Sequence, residues 1–253
     1  MGPGGESQIT PRGGLPGAAS YGLVVPDLPP RVAPTVTAVR LTGSRNRADL
    51  PLLVLGPPVG STATDAWAET AAGLSDAFDV AAWDLPGHGY NLAVPDAPYE
   101  LADLAAGVLD VVDEILLQRD EVGASFSYAG LGVGAAVGVQ LLVDAPRRLR
   151  DAVLVDAVTR SSGSPEAGLA AFDVRDRVAE LADDVLWLPA PPDDASELAR
   201  LVRGHVLGQT AGFGDDRSEA LVALEPHLRA ALASGLSADE IVQVLRGLAG
   251  QAE

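Results

Sequence analysis

Hydrophobic and polar positions change rhythm several times along the chain, and each change marks an element. Val36-Thr37-Ala38-Val39-Arg40-Leu41 alternates with a period of two, as a strand with one wetter face does. Leu50 to Gly56, Phe78 to Asp84 and Ala152 to Ala157 are short, nearly unbroken apolar runs. Runs of that kind predict parallel strands covered on both faces. Between the first two, Thr64-Asp65-Ala66-Trp67 begins a helix pattern that runs to about Ala77. Leu101, Leu104, Ala105, Val108, Val112, Ile115 and Leu116 share one face of a longer helix. Ser125-Phe126-Ser127-Tyr128 leads into a glycine-rich turn and a helix through Val137, Val139, Leu141 and Leu142. After one more helix, Val185-Leu186-Trp187-Leu188-Pro189 closes the series. Strands alternating with helices predict an α/β fold, a mostly parallel sheet flanked by helices. Ligands bind such sheets beyond the carboxyl ends of the strands, where Gly56, Asp84 and Gly132 fall.

The two ends have a different texture. Residues 1–34 are rich in Gly, Pro and Ser, with one apolar run at Tyr21-Gly22-Leu23-Val24-Val25. They read as a disordered arm or a displaced strand. From about Glu197 the pattern is helical throughout. Ser237-Ala238-Asp239-Glu240 forms a capping box before Ile241, Val244, Leu245 and Leu248. Gly235 is placed to end the preceding helix and Pro226 to start or kink it, which predicts a helical hairpin. The expected organisation is an arm over 1–34, an α/β domain over 35–196 and a helical segment over 197–253.

Composition narrows the chemistry. The 253 residues contain no cysteine, so disulfides, thiolate nucleophiles and cysteine metal sites are excluded. A formal net charge of -18 argues against nucleic acid and anionic membranes as partners. No stretch approaches the roughly 20 apolar residues of a membrane span, and no basic segment followed by an apolar core opens the chain. The expectation is a soluble cytoplasmic protein.

The densest chemical signal is Ala129-Gly130-Leu131-Gly132-Val133-Gly134-Ala135-Ala136, between a predicted strand and a predicted helix. This is the setting of a nucleophile elbow, G-x-S-x-G, whose small flanking residues allow a sharp turn that lifts the central side chain into the open. Here the centre is Gly132, which has no side chain. Ser61 reads as a helix cap and Ser127 as an ordinary strand residue. His88 lies in the turn Pro86-Gly87-His88-Gly89, which resembles a turn of the α/β-hydrolase superfamily, and that resemblance implies a structural histidine. Arg147, Arg148 and Arg150 read as a solvated basic helix end.

Taken in order, Leu55-Gly56-Pro57-Pro58-Val59-Gly60, Trp67, Asp84-Leu85-Pro86-Gly87-His88-Gly89 and the Gly132 turn resemble the α/β-hydrolase superfamily. Within it they resemble 3-oxoadipate enol-lactonases of aromatic-acid catabolism, as does Ala171-Phe172-Asp173-Val174-Arg175. The C-terminal stretches Leu201 to Gly208, Ala220 to Glu225, His227 to Leu232 and Gly235 to Ile241 resemble the 4-carboxymuconolactone decarboxylase domain fused to some of these lactonases. The resemblance implies an α/β-hydrolase sheet with a reduced cap, of which only Thr159 to Leu169 is present, and a shortened decarboxylase-like appendage.

The resemblance also implies roles. A nucleophilic serine belongs where Gly132 stands, and the backbone N–H groups of Val59 and Val133, beside Gly60, match the oxyanion donors. Asp193 or Asp194 matches the triad acid, although both also read as N-terminal acids of the next helix. The triad histidine belongs one helix and one strand further on. His205 follows Asp194 by only 11 residues, too few for both elements. His227, with Glu225 nearby, matches a histidine of the decarboxylase core.

The function implied is hydrolysis of a carboxylic ester or enol-lactone with impaired or lost serine catalysis. The alternatives are a non-catalytic ligand-binding or assembly protein and residual decarboxylation by the tail. The expected partner is a small lactone or dicarboxylate, with homo-oligomers forming through the C-terminal helices and no cofactor or metal implied.

Overall fold

Six strands form one sheet in the order β1-β3-β2-β4-β5-β8 in the computed structural model. The structure describes residues 34–42, 47–178, 181, 185–208, 230, 231, 233, 234, 236 and 240. β1 (Thr37–Arg40) runs antiparallel to β3 (Asp79–Asp84). β2 (Leu52–Gly56), β3, β4 (Phe126–Leu131), β5 (Leu149–Val155) and β8 (Val185–Leu188) are all parallel. Parallel pairing needs a crossover between strands, and the helices supply it. α1 (Ala63–Ala72) and α5 (Ala195–Val206) cover one face; α2 (Leu101–Gln118) and α3 (Val133–Asp144) cover the other.

Burial on both faces explains the unbroken apolar runs. Along β2, Leu52 and Val54 join the core beneath α2 and α3, while Leu53 and Leu55 join the core beneath α1 and α5. The apolar face predicted for α2 is buried in full, from Leu101 to Leu116. At its start, the Glu100 backbone N–H donates to Asp103 Oδ2 at 3.0 Å. α1 ends earlier than its pattern suggests, at Ala72 rather than near Ala77. Gly73 caps it there, at a point where α5 approaches so closely that a Cβ on the glycine would lie 2.9 Å from Ala199 Cβ.

α5 also moves a boundary. The break expected between 196 and 197 falls inside this helix. Leu198, Ala199, Leu201, Val202 and Val206 pack among Leu53, Trp67 and Leu74, so the chain through Val206 is part of the α/β layers. The arm over 1–34 and the helical hairpin of the tail lie almost wholly outside the described residues. Over the sheet, the two-residue strands β6 (Arg160–Ser161) and β7 (Phe172–Asp173) pair around a 3-10 turn at Pro165–Ala167 and form the reduced cap; the short helix α4 (Arg175–Val178) follows. Among the described residues no helix is long and apolar enough to cross a membrane.

A buried ionic cluster closes the amino end of the sheet. Asp79, at the start of β3, is fully buried and receives Arg119 at 2.6 Å and Arg40 at 3.2 Å. The Arg119 guanidinium also donates to the Leu50 and Arg47 carbonyls and to Glu121. One cation thus ties the end of α2 to the loop before β2 and to β3. Removing it takes the nearer of two cations from a fully buried carboxylate and leaves Arg40, at 3.2 Å, to hold the charge. Arg119→Ala is expected to cost about 3–5 kcal/mol, read from urea unfolding, with m unchanged; a loss below about 1 kcal/mol contradicts this role.

Candidate functional site

β4 ends at Leu131 and α3 begins at Val133, so Gly132 alone makes the corner. Its dihedrals are φ 55 and ψ -114, in the region that favours glycine. Three backbone bonds fix it: its N–H donates to the Val155 carbonyl at 3.0 Å, and its carbonyl accepts from Ala136 at 3.2 Å and Val158 at 3.3 Å. The neighbouring glycines are required for a different reason. A Cβ on Gly130 would lie 2.5 Å from the Gly134 carbonyl carbon; one on Gly134 would lie 2.4 Å from the Gly56 carbonyl. The first turn of α3 therefore rests directly on the end of β2. The Gly134 N–H donates to the Pro57 carbonyl at 3.0 Å, and Tyr128 donates its hydroxyl to the Gly134 carbonyl at 2.8 Å. Burial pushes the Tyr128 phenol far up, so it stays a donor.

At Gly132 itself the space is less crowded. A Cβ there would meet Pro58 Cβ at 3.3 Å, a contact that a small shift of the proline relieves. The side chain of a residue at 132 would thus face the loop after β2. That loop and the first turn of α3 supply the donors. The Val59 and Val133 backbone N–H groups have no acceptor among the described residues. An unpaired N–H in the first turn of a helix is a ready partner for a developing or full negative charge. Gly60 does not belong with them: its N–H donates to His88 Nε2 at 3.3 Å.

His88 and Asp84 brace this end of the sheet. His88 Nδ1 lies 3.0 Å from the Pro86 carbonyl, in keeping with a structural histidine of the turn. Asp84 was not singled out as a site residue, though it ends a buried strand run. It is fully buried and accepts Ala63 N–H at 2.6 Å and Tyr90 N–H at 2.9 Å, joining the start of α1 to the 86–89 turn. Asp156, also missed, directly follows the carbonyl that holds Gly132 and takes φ 48, strained for a side-chain-bearing residue. Its N–H donates to Leu188, linking β5 to β8. The only cue to it in the sequence is an acid at the end of an apolar run. On the same end of the sheet, a cleft of about 460 Å³ separates the 94–98 segment from the cap, lined by Val94, Pro95, Pro98, Ser162, Leu169 and Ala170.

The remaining predicted residues are not gathered here. Asp194 is the N-cap of α5: its carboxylate accepts Ser196 N–H at 2.9 Å and Ser196 Oγ–H at 2.7 Å. The Ser196 hydroxyl and then its backbone N–H hold the Asp194 carboxyl below the usual range. Asp193 is exposed beside it. His205 is at the wrong end of the molecule. α5 runs back from the carboxyl end of β8, and near its close Arg203 pairs with Asp76 and the Gly73 carbonyl, just before β3 begins. A 12-residue helix spans about 18 Å, so the histidine near its far end cannot serve Gly132. His227 and Glu225 lie outside the described residues.

The serines and arginines sort the same way. Ser127 is buried and bonded to Arg150 and Asp151, near the amino end of the sheet. Arg148 pairs there with Asp113. The cap of α1 is Thr62, one residue beyond the expected Ser61. Among the described residues no group of three His, Asp or Glu side chains is placed to hold a metal ion.

These contacts predict opposite responses to two neighbouring alanines. Gly134→Ala forces backbone apart and is expected to abolish cooperative thermal unfolding. Gly132→Ala adds only positive-φ strain and a soft contact, for a loss of about 1–3 kcal/mol. Equal losses contradict the account. Asp194→Asn, which keeps a capping oxygen, is expected to leave Tm and ligand binding unchanged; a selective loss of ligand binding contradicts the capping role.

No protein-family model matches the chain. It is similar to the putative carbamate hydrolase RutD of Pseudomonas savastanoi pv. phaseolicola, 29% identical over 177 residues, which cover 69% of this chain and 61% of that one. RutD of Variovorax paradoxus is 30% identical over 146 residues, 57% of this chain and 51% of its own. The chain thus spans about half to three-fifths of the length of these curated relatives. Among solved structures, the enol-lactonase from Burkholderia xenovorans aligns at 26% identity and TM-score 0.43, over 49% of this chain and 44% of that one. A hydrolase from Pseudomonas aeruginosa aligns at 25% identity and TM-score 0.42, over 78% and 64%. By its sheet order and its strand–glycine–helix elbow the chain has an α/β-hydrolase-like fold, and its sequence is similar to that of the RutD proteins.

Proposed function

We propose that this chain binds a small acyl compound, an ester, lactone or carbamate, with its carbonyl oxygen on the Val59 and Val133 amides, and that it forms no acyl-enzyme at position 132. The supporting observation is an elbow whose backbone is held in place while its central residue, Gly132, has no side chain. The substrate class follows from similarity to proteins named as carbamate hydrolases and from the resemblance to enol-lactonases, whose shared chemistry is attack on an acyl carbonyl.

A serine at this corner would add its oxygen to the carbonyl carbon, pass its proton to a base, and leave the oxyanion on the two amides. Glycine supplies no such oxygen. Two steps remain open: binding, and direct attack by water. In the latter, water adds to the carbonyl carbon, the oxyanion forms against Val59 and Val133, and collapse breaks the bond to the alcohol, enol or amine, which departs with the proton that the water gives up and leaves the acid. An oxyanion hole with binding alone keeps about 10³–10⁴-fold acceleration over water, so turnover is slow. Gly132 equally favours a second reading, a ligand-binding or assembly protein without turnover, which a complete absence of hydrolysis with binding retained would establish. The decarboxylase reading rests on residues outside those described.

Intact-mass and burst kinetics with p-nitrophenyl acetate separate the covalent from the non-covalent account. The wild-type chain is expected to show no burst and no acetyl adduct. Gly132→Ser is expected to leave turnover of 3-oxoadipate enol-lactone within about tenfold of wild type, since both ring nitrogens of His88 are engaged by the Pro86 carbonyl and the Gly60 N–H and His205 lies near the far end of α5. A wild-type adduct, or a gain near 10³-fold in the serine variant, would overturn the proposal.

A further inference from the structure

His88 sits between two backbone groups whose roles cannot be exchanged. The Pro86 carbonyl, 3.0 Å from Nδ1, can only accept; the Gly60 N–H, 3.3 Å from Nε2, can only donate. The pair selects the neutral ring with its proton on Nδ1. The base of the ring is held independently of its charge. His88 N–H donates to the Leu85 carbonyl at 3.0 Å, and its own carbonyl accepts Asn91 N–H at 2.9 Å. Asn91 is itself buried and donates its side-chain amide to the Thr35 carbonyl at 2.7 Å.

The other side of the bond is held differently. The loop from Pro57 to the start of α1 is fixed at one end by the Gly134–Pro57 bond and at the other by Ala63 on Asp84. Between them, the Gly60–His88 bond is the one hydrogen bond, among the described residues, that ties residues 58–61 to another element. Gly60 itself takes φ 80, and a Cβ placed on it would touch nothing within 4 Å, so side-chain packing does not hold it. Val59, whose N–H is one of the two proposed carbonyl donors, is the preceding residue.

We propose that His88 is a pH-sensitive latch on the 58–60 loop: neutral, it holds Gly60 and with it the Val59 amide; protonated, it presents an N–H to the Gly60 N–H, the bond is lost and the loop is released. Histidine is the side chain whose ordinary titration falls between about pH 5 and pH 8. The charged groups on the elements flanking the turn are Asp84 at the end of β3, Asp65 in the first turn of α1 and Glu166 in the 3-10 turn, whose carbonyl lies against Gly87. The sign follows: the latch is closed above the titration of His88 and open below it. The latch is independent of any ligand; its consequence for carbonyl binding rests on the role proposed for Val59.

The test is a heteronuclear NMR titration of the full ¹⁵N-labelled chain from about pH 8 to about pH 5. The protection factor of the Gly60 amide is expected to fall about tenfold, with the same midpoint as the His88 ring protons. The Val59 amide should move with it, and the Val153 amide in β5 should not. In His88→Phe the Gly60 amide should be unprotected at every pH. A Gly60 amide that ignores pH while His88 titrates, or a His88 ring that does not titrate before the chain unfolds, overturns the latch. Failure of the proposed function gives a different signature: at pH 8 the Val59 and Val133 amides would not respond to added γ-butyrolactone, whatever Gly60 does on acidification.

Discussion

Everything at the carboxyl end of the sheet depends on one close approach, the first turn of α3 against the end of β2. Gly130 and Gly134 have no room for a Cβ, because the carbonyl groups of Gly134 and Gly56 occupy the space each would need. Backbone packed on backbone cannot shift as side chains do, so this contact sets where Gly132 sits, how sharply the chain turns, and where the Val133 amide falls. Tyr128 closes the contact from below with its hydroxyl on the Gly134 carbonyl. The corner is thus a property of the sheet and helix, and does not need a serine to keep its shape. That separation of scaffold from side chain lets the elbow keep its shape around a glycine.

The sheet also has a polarity that sorts the rest of the molecule. Its amino end carries the ionic cluster of Asp79, Arg119 and Arg40, together with Arg203 on Asp76, and these contacts hold elements together. Its carboxyl end carries Gly132, the Val59 and Val133 amides, His88 and the cap. A residue's place along that axis decides what it can do. His205 and the Arg147–Arg150 run are chemically suggestive in the sequence and irrelevant to the elbow once their end of the sheet is known. Asp84, by contrast, is a buried carboxylate at the functional end, yet both oxygens are engaged with backbone N–H groups.

The strands and long helices were legible because each has one dominant cause. β2, β3, β4 and β5 are buried on both faces and therefore read as apolar runs; α2 has a single buried face and a helical period. The elbow was legible for a steric reason, since three closely spaced glycines between a strand and a helix have few other uses. What escaped depends on long-range contacts. α1 ends at Gly73, a residue against which Ala199, far along the chain, packs. Thr62 rather than Ser61 caps α1 because only its hydroxyl reaches the Asp65 N–H. The engagement of Gly60 by His88, and the strain at Asp156, follow from how the strand ends are brought together, which no local pattern records.

The central proposal is that the Val59 and Val133 amides form a carbonyl site beside a glycine that supplies no nucleophile. The most direct measurement is a crystal structure of the chain with a bound saturated lactone such as δ-valerolactone. The account predicts the lactone carbonyl oxygen within about 3.1 Å of both nitrogens, above Gly132, with no covalent bond to the chain. A lactone seated only in the cleft between the 94–98 segment and the cap, or amides turned to acceptors within the protein, would contradict it.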